Sequence, residues 1–320
     1  FILDSDYQNT DEKAEIVLFG KLENKQSFAA KFDFKPYFYL REEDYDSTKK
    51  YFEKYEVEKT SKTNFKGEKV VKVSSANTTE INKIVDYLHK NQIDTYEADI
   101  KPVMRFTIDH NLLSSIELDG EFEASTFVDR LYINPKIKPS DFKPELKVIS
   151  IDIESSKTGG ELFCIGLYGE NYEKNFIISK EKVKNAVSCA DERECLTLFK
   201  EEIQKIDPDI ITGWNMIDFD LVFLKDLFGK NKIPFSIGRT NLPTKIRIED
   251  SFFRSSKAEV QGRQVLDAMS LIKDPFIQEA PSIKNSKFES YSLESVSQEI
   301  LGEGKILKGK GRHDEIEDLY

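Results

Sequence analysis

Cysteine is scarce in this chain of 320 residues, which contains only Cys164, Cys189 and Cys195. Their spacing matches no paired zinc motif, and three thiols indicate no disulfide framework. Long apolar runs are also missing, because no run approaches the roughly 18 residues that a membrane helix needs. The first residues, Phe-Ile-Leu-Asp-Ser-Asp, resemble neither a signal peptide nor an arginine-rich transit peptide. We therefore expect no secreted disulfide fold, no membrane association and a cytoplasmic location.

Positive charge is in deficit, since 47 Lys and Arg residues face 58 Asp and Glu residues, for a net charge of -11. This balance argues against a protein that coats nucleic acid through bulk charge. It does not exclude a local groove that grips a strand, and an enzyme that carries carboxylates for metals also has an acidic sequence. Hydrophobic residues at 39% and charged residues at 33% indicate a soluble globular protein, and the length favours two domains.

The first part of the chain predicts a small α+β domain, with strands interleaved with two helices. Three prolines among polar residues make 134–144 the best linker candidate, so we place a boundary near residue 145 and expect domains at 1–145 and 146–320. The predicted strands of the first domain are 14–22 paired with 27–34, then 37–40 and 69–73. Its predicted helices are 46–55 and a segment capped by Asn77 or Thr78 that runs to about His89.

The second part predicts a mixed sheet flanked by helices, and thus an α/β chain overall. Three strands, 148–153, 161–168 and 175–179, precede an alternation of helices and strands, which is the order of a ribonuclease H-like sheet. The predicted helices are 191–206 with Asp191 as its cap, 219–228 ending at Gly229, and 291–301 ending at Gly302. The predicted later strands are 210–214 and 264–266.

Residues 147–154, Lys-Val-Ile-Ser-Ile-Asp-Ile-Glu, have the alternation of an extended strand. The isoleucines share one face, which leaves Asp152 and Glu154 side by side on the other. Neighbouring carboxylates repel each other, and a divalent cation with a preference for oxygen ligands relieves that repulsion. The alternative is a strand with one solvated face, on which the two acids have no role.

A second candidate motif lies in residues 211–220, Ile-Thr-Gly-Trp-Asn-Met-Ile-Asp-Phe-Asp. A strand ends at Gly213, a loop follows, and Asp220 enters the first turn of a helix, where the helix dipole favours a carboxylate. Such an acid can hold a cation at the edge of the sheet. Alternatively, Asp218 or Asp220 is only a helix-terminal charge, and Trp214 and Phe219 belong to the core.

Together the two motifs, Asp-x-Glu and Asn-x-x-x-Phe-Asp, resemble the first two exonuclease motifs of the family B DNA polymerases. The resemblance is strongest to the bacterial DNA polymerase II branch, covers the chain from Phe1 onward, and is specific from about Tyr96. Further similar segments are Tyr-Glu-Ala-Asp-Ile-Lys-Pro (96–102), Glu-Leu-Phe-Cys-Ile-Gly-Leu (161–167), Pro-Asp-Ile-Ile-Thr-Gly-Trp-Asn (208–215), Gly-Arg-Gln-Val-Leu-Asp (262–267) and Leu-Glu-Ser-Val-Ser-Gln-Glu-Ile-Leu-Gly-Glu-Gly-Lys (293–305).

The resemblance implies a 3′–5′ proofreading exonuclease domain preceded by the N-terminal domain of a DNA polymerase. It implies that Asp152, Glu154 and Asp220 hold two Mg²⁺ or Mn²⁺ ions for hydrolysis of the 3′-terminal phosphodiester. The partner is then the single-stranded 3′ end of a frayed primer, in a nucleoid-associated enzyme of replication or repair. The implied strand contacts are Ser155, Asn215, Phe219, Ser292 and Leu293, the last two in a Ser-Leu-x-x-Val element whose Leu293 and Val296 also fit a packing face.

The chain departs from the family pattern at its end. The third motif, Tyr-x-x-x-Asp, does not follow the helix at 291–301, and the polymerase domains that would hold template DNA are absent. We therefore expect a segment truncated before the third motif, with one metal ligand missing and weak or no nuclease activity of its own. A sliding clamp stays open as a partner that this chain does not reveal.

Two other functions compete with this interpretation. His313 and Asp318 fit His-x-x-x-x-Asp, the third motif of histidine-type relatives, which would make the chain a stand-alone exonuclease. A non-catalytic nucleic-acid-binding module with relic acids is the third reading. The presence of Asp152, Glu154 and Asp220 together argues against a relic.

Overall fold

Strands and helices occur in both parts of the chain, which divides after Pro144 into unit 1 (Phe1–Pro144) and unit 2 (Glu145–Tyr320). The computed structural model describes residues 1–156, 160–249, 255–284, 286 and 288–304. Each unit has buried hydrophobic clusters made of its own residues. The two units are described separately below.

Unit 1 is a mixed α+β structure. Its strands are β1 (Ile2–Asn9), β2 (Ala14–Lys21), β3 (Ser27–Phe34), β4 (Tyr37–Arg41), β5 (Glu56–Thr63), β6 (Lys69–Ser74), β7 (Thr95–Tyr96), β8 (Ser115–Asp119), β9 (Phe122–Glu123), β10 (Arg130–Ile133) and β11 (Lys136–Ser140). Its helices are α1 (Glu42–Thr48), α2 (Thr78–Lys90) and α3 (Pro102–Asp109), with a short 3₁₀ helix at Lys49–Tyr51.

The strands of unit 1 form a five-stranded sheet, β1-β2-β3-β10-β9, a four-stranded sheet, β5-β6-β4-β7, and the pair β11-β8. The predicted pairing of β2 with β3 is confirmed, and the two strands are antiparallel along their whole length. The predicted cap of α2 is also confirmed, because the Asn77 side chain accepts a hydrogen bond from the Glu80 N–H at 3.0 Å.

Two predictions for unit 1 are wrong. The helix expected at 46–55 is α1, which begins at Glu42 and ends at Thr48, where Glu42, Glu43 and Asp44 favour the first turn. Phe52 and Tyr55 are buried as the helical spacing suggested, but they lie in successive turns after the 3₁₀ helix. The linker expected at 134–144 contains β11, antiparallel to β8, and Pro139 is accommodated there because a two-stranded sheet has only edge strands.

Unit 2 contains the candidate catalytic segments. Its strands are β12 (Val148–Ser155), β13 (Leu162–Gly169), β14 (Tyr172–Ile178), β15 (Val187–Cys189), β16 (Ile210–Gly213), β17 (Lys245–Arg247), β18 (Lys257–Glu259) and β19 (Gln264–Asp267). Its helices are α4 (Glu192–Ile206), α5 (Asp220–Lys230), α6 (Ala268–Lys273), α7 (Pro275–Gln278) and α8 (Leu293–Leu301).

The central sheet of unit 2 has six strands in the order β15-β14-β13-β12-β16-β19. β12, β13 and β14 are successive antiparallel neighbours, as predicted, whereas β16 and β19 run parallel to β12. Three antiparallel strands followed by parallel strands on the other side of β12 is the order expected of a ribonuclease H-like sheet. The carboxyl ends of β12, β16 and β19 therefore lie at one edge, where ligand sites form in open α/β sheets.

Two of the three helix termini predicted in unit 2 are confirmed, and one is wrong. Asp191 caps α4 by accepting from the Glu194 N–H at 2.8 Å, and Gly302 ends α8 in the left-handed conformation, as expected. The predicted end of α5 at Gly229 is wrong, because the helix continues to Lys230 and the left-handed residue beyond it is Lys232. Over the described ranges, none of the helices is both long enough and apolar enough to span a membrane.

Candidate active site

β12 presents its acids at the centre of the six-stranded sheet. Ile149, Ile151 and Ile153 are buried in the core of unit 2, which confirms the alternation predicted for residues 147–154. Asp152 is exposed and Glu154 is half-buried on the opposite face. The register of β12 against β13 shifts between Glu154 and Ser155, and such irregularities often redirect side chains near active sites.

β16 reaches the same edge of the sheet through a close approach to β12. A Cβ atom on Gly213 would lie 2.6 Å from the Ile151 carbonyl oxygen and 3.0 Å from the Met216 Cβ, so only glycine fits. Asn215 then takes the left-handed conformation, with φ at +58°, which asparagine tolerates better than most residues. The chain crosses residues 214–219 and enters α5 at Asp220.

Asp220 is fixed against β12 and is almost fully buried, at 3% exposure. The backbone N–H of Ile153, between the two acids of the first motif, donates to Asp220 Oδ1 at 3.1 Å. The pKa of Asp220 is raised from 3.8 to about 7, chiefly by burial and next by the negative charge of Asp152, while hydrogen bonds from backbone N–H groups act in the opposite direction. Asp220 is therefore a carboxyl group whose charged form is only partly stabilised by its hydrogen bonds.

Asp152 and Asp220 fit a divalent cation on chemical grounds. Both offer hard oxygen ligands, and their mutual repulsion, expressed in the raised pKa of Asp220, is relieved by positive charge. Across the described ranges, no group of three or more His, Cys, Asp or Glu residues is arranged to hold a metal ion. The structure thus brings Asp152 and Asp220 together, and it leaves Glu154 outside a three-ligand cluster.

The residues expected to contact the DNA strand lie in three places, namely the end of β12, the loop before α5 and the start of α8. Phe219 is half exposed and lies nearly parallel to Phe223, with ring centroids 6.4 Å apart and an interplanar angle of 14°. Asn215 and Ser155 are partly buried near the same sheet edge. Phe219 is therefore available to an incoming ring, contrary to the alternative that it belongs to the core.

Ser292, Leu293 and Val296 lie in and next to α8. Ser292 caps the helix, and its hydroxyl accepts from the Ser295 N–H at 3.2 Å. Val296 is buried, which agrees with a packing role, whereas Leu293 is exposed. Assignment of Ser292 and Leu293 to the same site as Asp152 rests on the sequence pattern. His313 and Asp318, the residues of the competing histidine motif, lie outside the described residues.

Asp267, at the end of β19, lies near the candidate site, although its sequence pattern predicts no role there. It ends β19 in register with Gly213, is 6% exposed, and adds to the electrostatic environment that raises the pKa of Asp220. Its sequence signal is an N-cap pattern, Asp followed three residues later by Ser270, whose N–H donates to Asp267 Oδ1 at 3.0 Å. A cap pattern alone does not reveal its nearness to Asp220.

The sequence of this chain is similar to those of several known proteins. Residues 161–296 match the family described as DNA polymerase family B, exonuclease domain. The chain is 32% identical over 244 residues to DNA polymerase II of Escherichia coli K12, covering 73% of this chain and 29% of that protein. It is 28% identical over 286 residues to a DNA polymerase of Archaeoglobus fulgidus, covering 83% of this chain and 34% of that protein.

A solved structure shares the fold. The family B DNA polymerase of the hyperthermophilic archaeon Pyrobaculum calidifontis superposes with a TM-score of 0.69 at 20% identity, over 93% of this chain and 39% of that chain. The chain thus spans about a third of the length of the relatives it matches, at 29% and 34% for the two named above.

Proposed function

The chain belongs to the family B DNA polymerases, and on that premise we propose that unit 2 is a 3′–5′ proofreading exonuclease that acts on the single-stranded 3′ end of a DNA primer. One observation carries the proposal. The buried carboxyl group of Asp220 is held by the Ile153 N–H next to exposed Asp152, at the carboxyl edge of the sheet. Two acids whose charges repel at such an edge favour a cation-assisted reaction on a phosphodiester.

Asp152 and Asp220, with Glu154, would hold Mg²⁺ or Mn²⁺. When bound, such ions activate a water molecule and stabilise charge on the scissile phosphate and the leaving 3′ oxygen. Asp220 needs no rearrangement for this role, because its hydrogen bond to β12 fixes the carboxyl group before the ion arrives. Asp152, exposed on the strand, is accessible to both ion and substrate.

The remaining residues would bind the DNA strand. Phe219, half exposed, can stack with an unpaired base, which contributes roughly 1–3 kcal/mol per base. Asn215, Ser155 and Ser292 supply polar groups for phosphates and sugars, and Leu293 offers an exposed apolar contact. We propose polymerase activity and contacts with template DNA only for a longer protein of the length of the relatives.

Metal binding tests this function without requiring turnover. We expect Mn²⁺ binding, followed by loss of the free-ion electron paramagnetic resonance signal, to weaken at least about tenfold in Asp152→Asn with Glu154→Gln, because two charged ligands are removed. The control, Glu181→Gln with Glu201→Gln, removes the same charge from two exposed positions and should bind Mn²⁺ like the wild type.

Degradation of a 5′-labelled single-stranded oligonucleotide in Mn²⁺ provides the second readout. Any shortening from the 3′ end should be lost in the Asp152/Glu154 variant and retained in the control. Equal Mn²⁺ affinity in both variants would contradict the assignment of the site.

A further inference from the structure

The loop at residues 214–219 carries Asn215 and Phe219, two of the proposed strand contacts. Its amino-terminal end follows Gly213, and its carboxyl-terminal end is fixed where Asp220 accepts from the Ile153 N–H. The middle of the loop is held by a different strand. The buried N–H of Ile217 donates to Asp267 Oδ2 at 3.2 Å.

Asp267 uses its two carboxylate oxygens for two separate purposes. Oδ1 accepts from the Ser270 N–H at 3.0 Å and caps α6, whereas Oδ2 accepts from Ile217 in the loop. The residue pairs with Gly213 at the end of β19, so its position depends on the sheet and not on the loop. A rigid strand thus anchors the segment between Asn215 and Phe219.

We infer that Asp267 is a positioning residue for nucleic-acid binding, which holds the loop so that Asn215 and Phe219 keep the conformations needed to receive a strand. This inference rests on the proposed function for the identity of the ligand. The anchoring itself does not, because it follows from hydrogen bonds within the chain. Loss of the acceptor would leave the Ile217 N–H buried without its hydrogen-bond partner, which disfavours the native position of the loop.

The two roles of Asp267 can be separated by substitution. Serine is an effective helix cap, so Asp267→Ser keeps the acceptor for Ser270, but its short side chain supplies no second acceptor for Ile217. The matched control is Asp191→Ser, which makes the same exchange at the cap of α4, where Asp191 accepts from the Glu194 N–H. Asp191 lies on a different element from the loop and its anchors.

Trp214, the only tryptophan of the chain, lies in the loop and reports on it directly. We expect acrylamide to quench Trp214 fluorescence about twofold more efficiently in Asp267→Ser than in the wild type, because loss of a buried hydrogen bond increases local opening. Asp191→Ser should match the wild type. A purely structural role of Asp267 would lower the melting temperature without changing quenching well below the transition.

Affinity for a fluorescent oligothymidylate tests the functional part. We expect affinity to fall about tenfold in Asp267→Ser, as loss of one base–aromatic contact would produce, and to persist in Asp191→Ser. Quenching at the level of the control would overturn the anchoring. Increased quenching with unchanged affinity would overturn the positioning role.

Two further outcomes are distinguishable. If the wild type binds no oligothymidylate, the proposed function fails, and quenching alone decides whether Asp267 anchors the loop. If Asp267→Ser does not fold, Asp267→Asn replaces it, because an amide retains one acceptor oxygen and can serve only one of the two N–H groups. The same quenching and affinity criteria then apply.

Discussion

At the scale of single residues, Asp220 is a group that costs the folded protein stability. Its carboxyl group is buried next to the negative charge of Asp152, and burial is the larger cause of its raised pKa. Between its ordinary pKa of 3.8 and the folded value of about 7, the folded state keeps a proton that the unfolded state has lost. The contribution of Asp220 to stability is therefore greatest at low pH and is lost as the pH rises through this window.

Replacement of Asp220 by Asn should remove that dependence. We expect Asp220→Asn to be more stable than the wild type at pH 8, by an amount on the order of 3 kcal/mol, and to show little difference near pH 4, where both side chains are neutral. Urea unfolding at the two pH values measures the difference. The control Asp218→Asn changes an exposed acid of the same loop, and its unfolding should follow the wild type. A parallel pH dependence in Asp220→Asn and the wild type would contradict the role given to burial.

At the scale of elements, the site depends on how closely β16 approaches β12. Gly213 lies where a side chain would collide with the Ile151 backbone oxygen, and a backbone atom of a central strand cannot move aside cheaply. β12, β16 and β19 are parallel neighbours whose carboxyl ends, with Asp152 and Asp267, lie at one edge, and the loop after Gly213 leads to Asp220. Absence of a Cβ atom is thus a condition for the arrangement of the acids.

Two glycine substitutions test this argument in opposite directions. Gly213→Ala should destabilise the protein by about 1–3 kcal/mol and weaken Mn²⁺ binding, because the strand ends must separate. Gly229→Ala should stabilise it by about 0.5–1 kcal/mol, because Gly229 lies inside α5 with open space around its missing Cβ. Urea unfolding checks both, and a Gly213→Ala protein as stable as the wild type would refute the close approach.

Features that the sequence predicted are those decided by local chemistry. The alternation of residues 147–154 fixes β12, and Asn77 and Asp191 cap their helices because the acceptor and the N–H lie three residues apart. Features that depend on distant partners were missed. The composition of 134–144 indicates a linker because it does not reveal the pairing of β11 with β8, and the hydrogen bond from Ile217 to Asp267 depends on the register of β19 with β16.

At the scale of the whole molecule, unit 2 has a hydrophobic core of its own, in which the described residues of the cluster all come from unit 2. The cluster joins the isoleucines of β12 to Phe199 of α4 and to Leu224 and Phe228 of α5. The clusters of unit 1 likewise contain only residues before Pro144. Since buried apolar area provides the main driving force for folding, each unit contains what it needs to fold.

We therefore expect a polypeptide of residues 145–320 to fold without unit 1. Its Trp214 emission maximum, acrylamide quenching and Mn²⁺ affinity should equal those of the full chain, because the sheet, the loop and the three acids all lie within it. Trp214 is the only tryptophan, so its fluorescence in the full chain reports on the urea unfolding of unit 2. The urea transitions of the full chain and of the 145–320 polypeptide should therefore have the same midpoint. A polypeptide without a cooperative transition, or with exposed Trp214 emission in water, would show that unit 2 needs unit 1 to complete its fold.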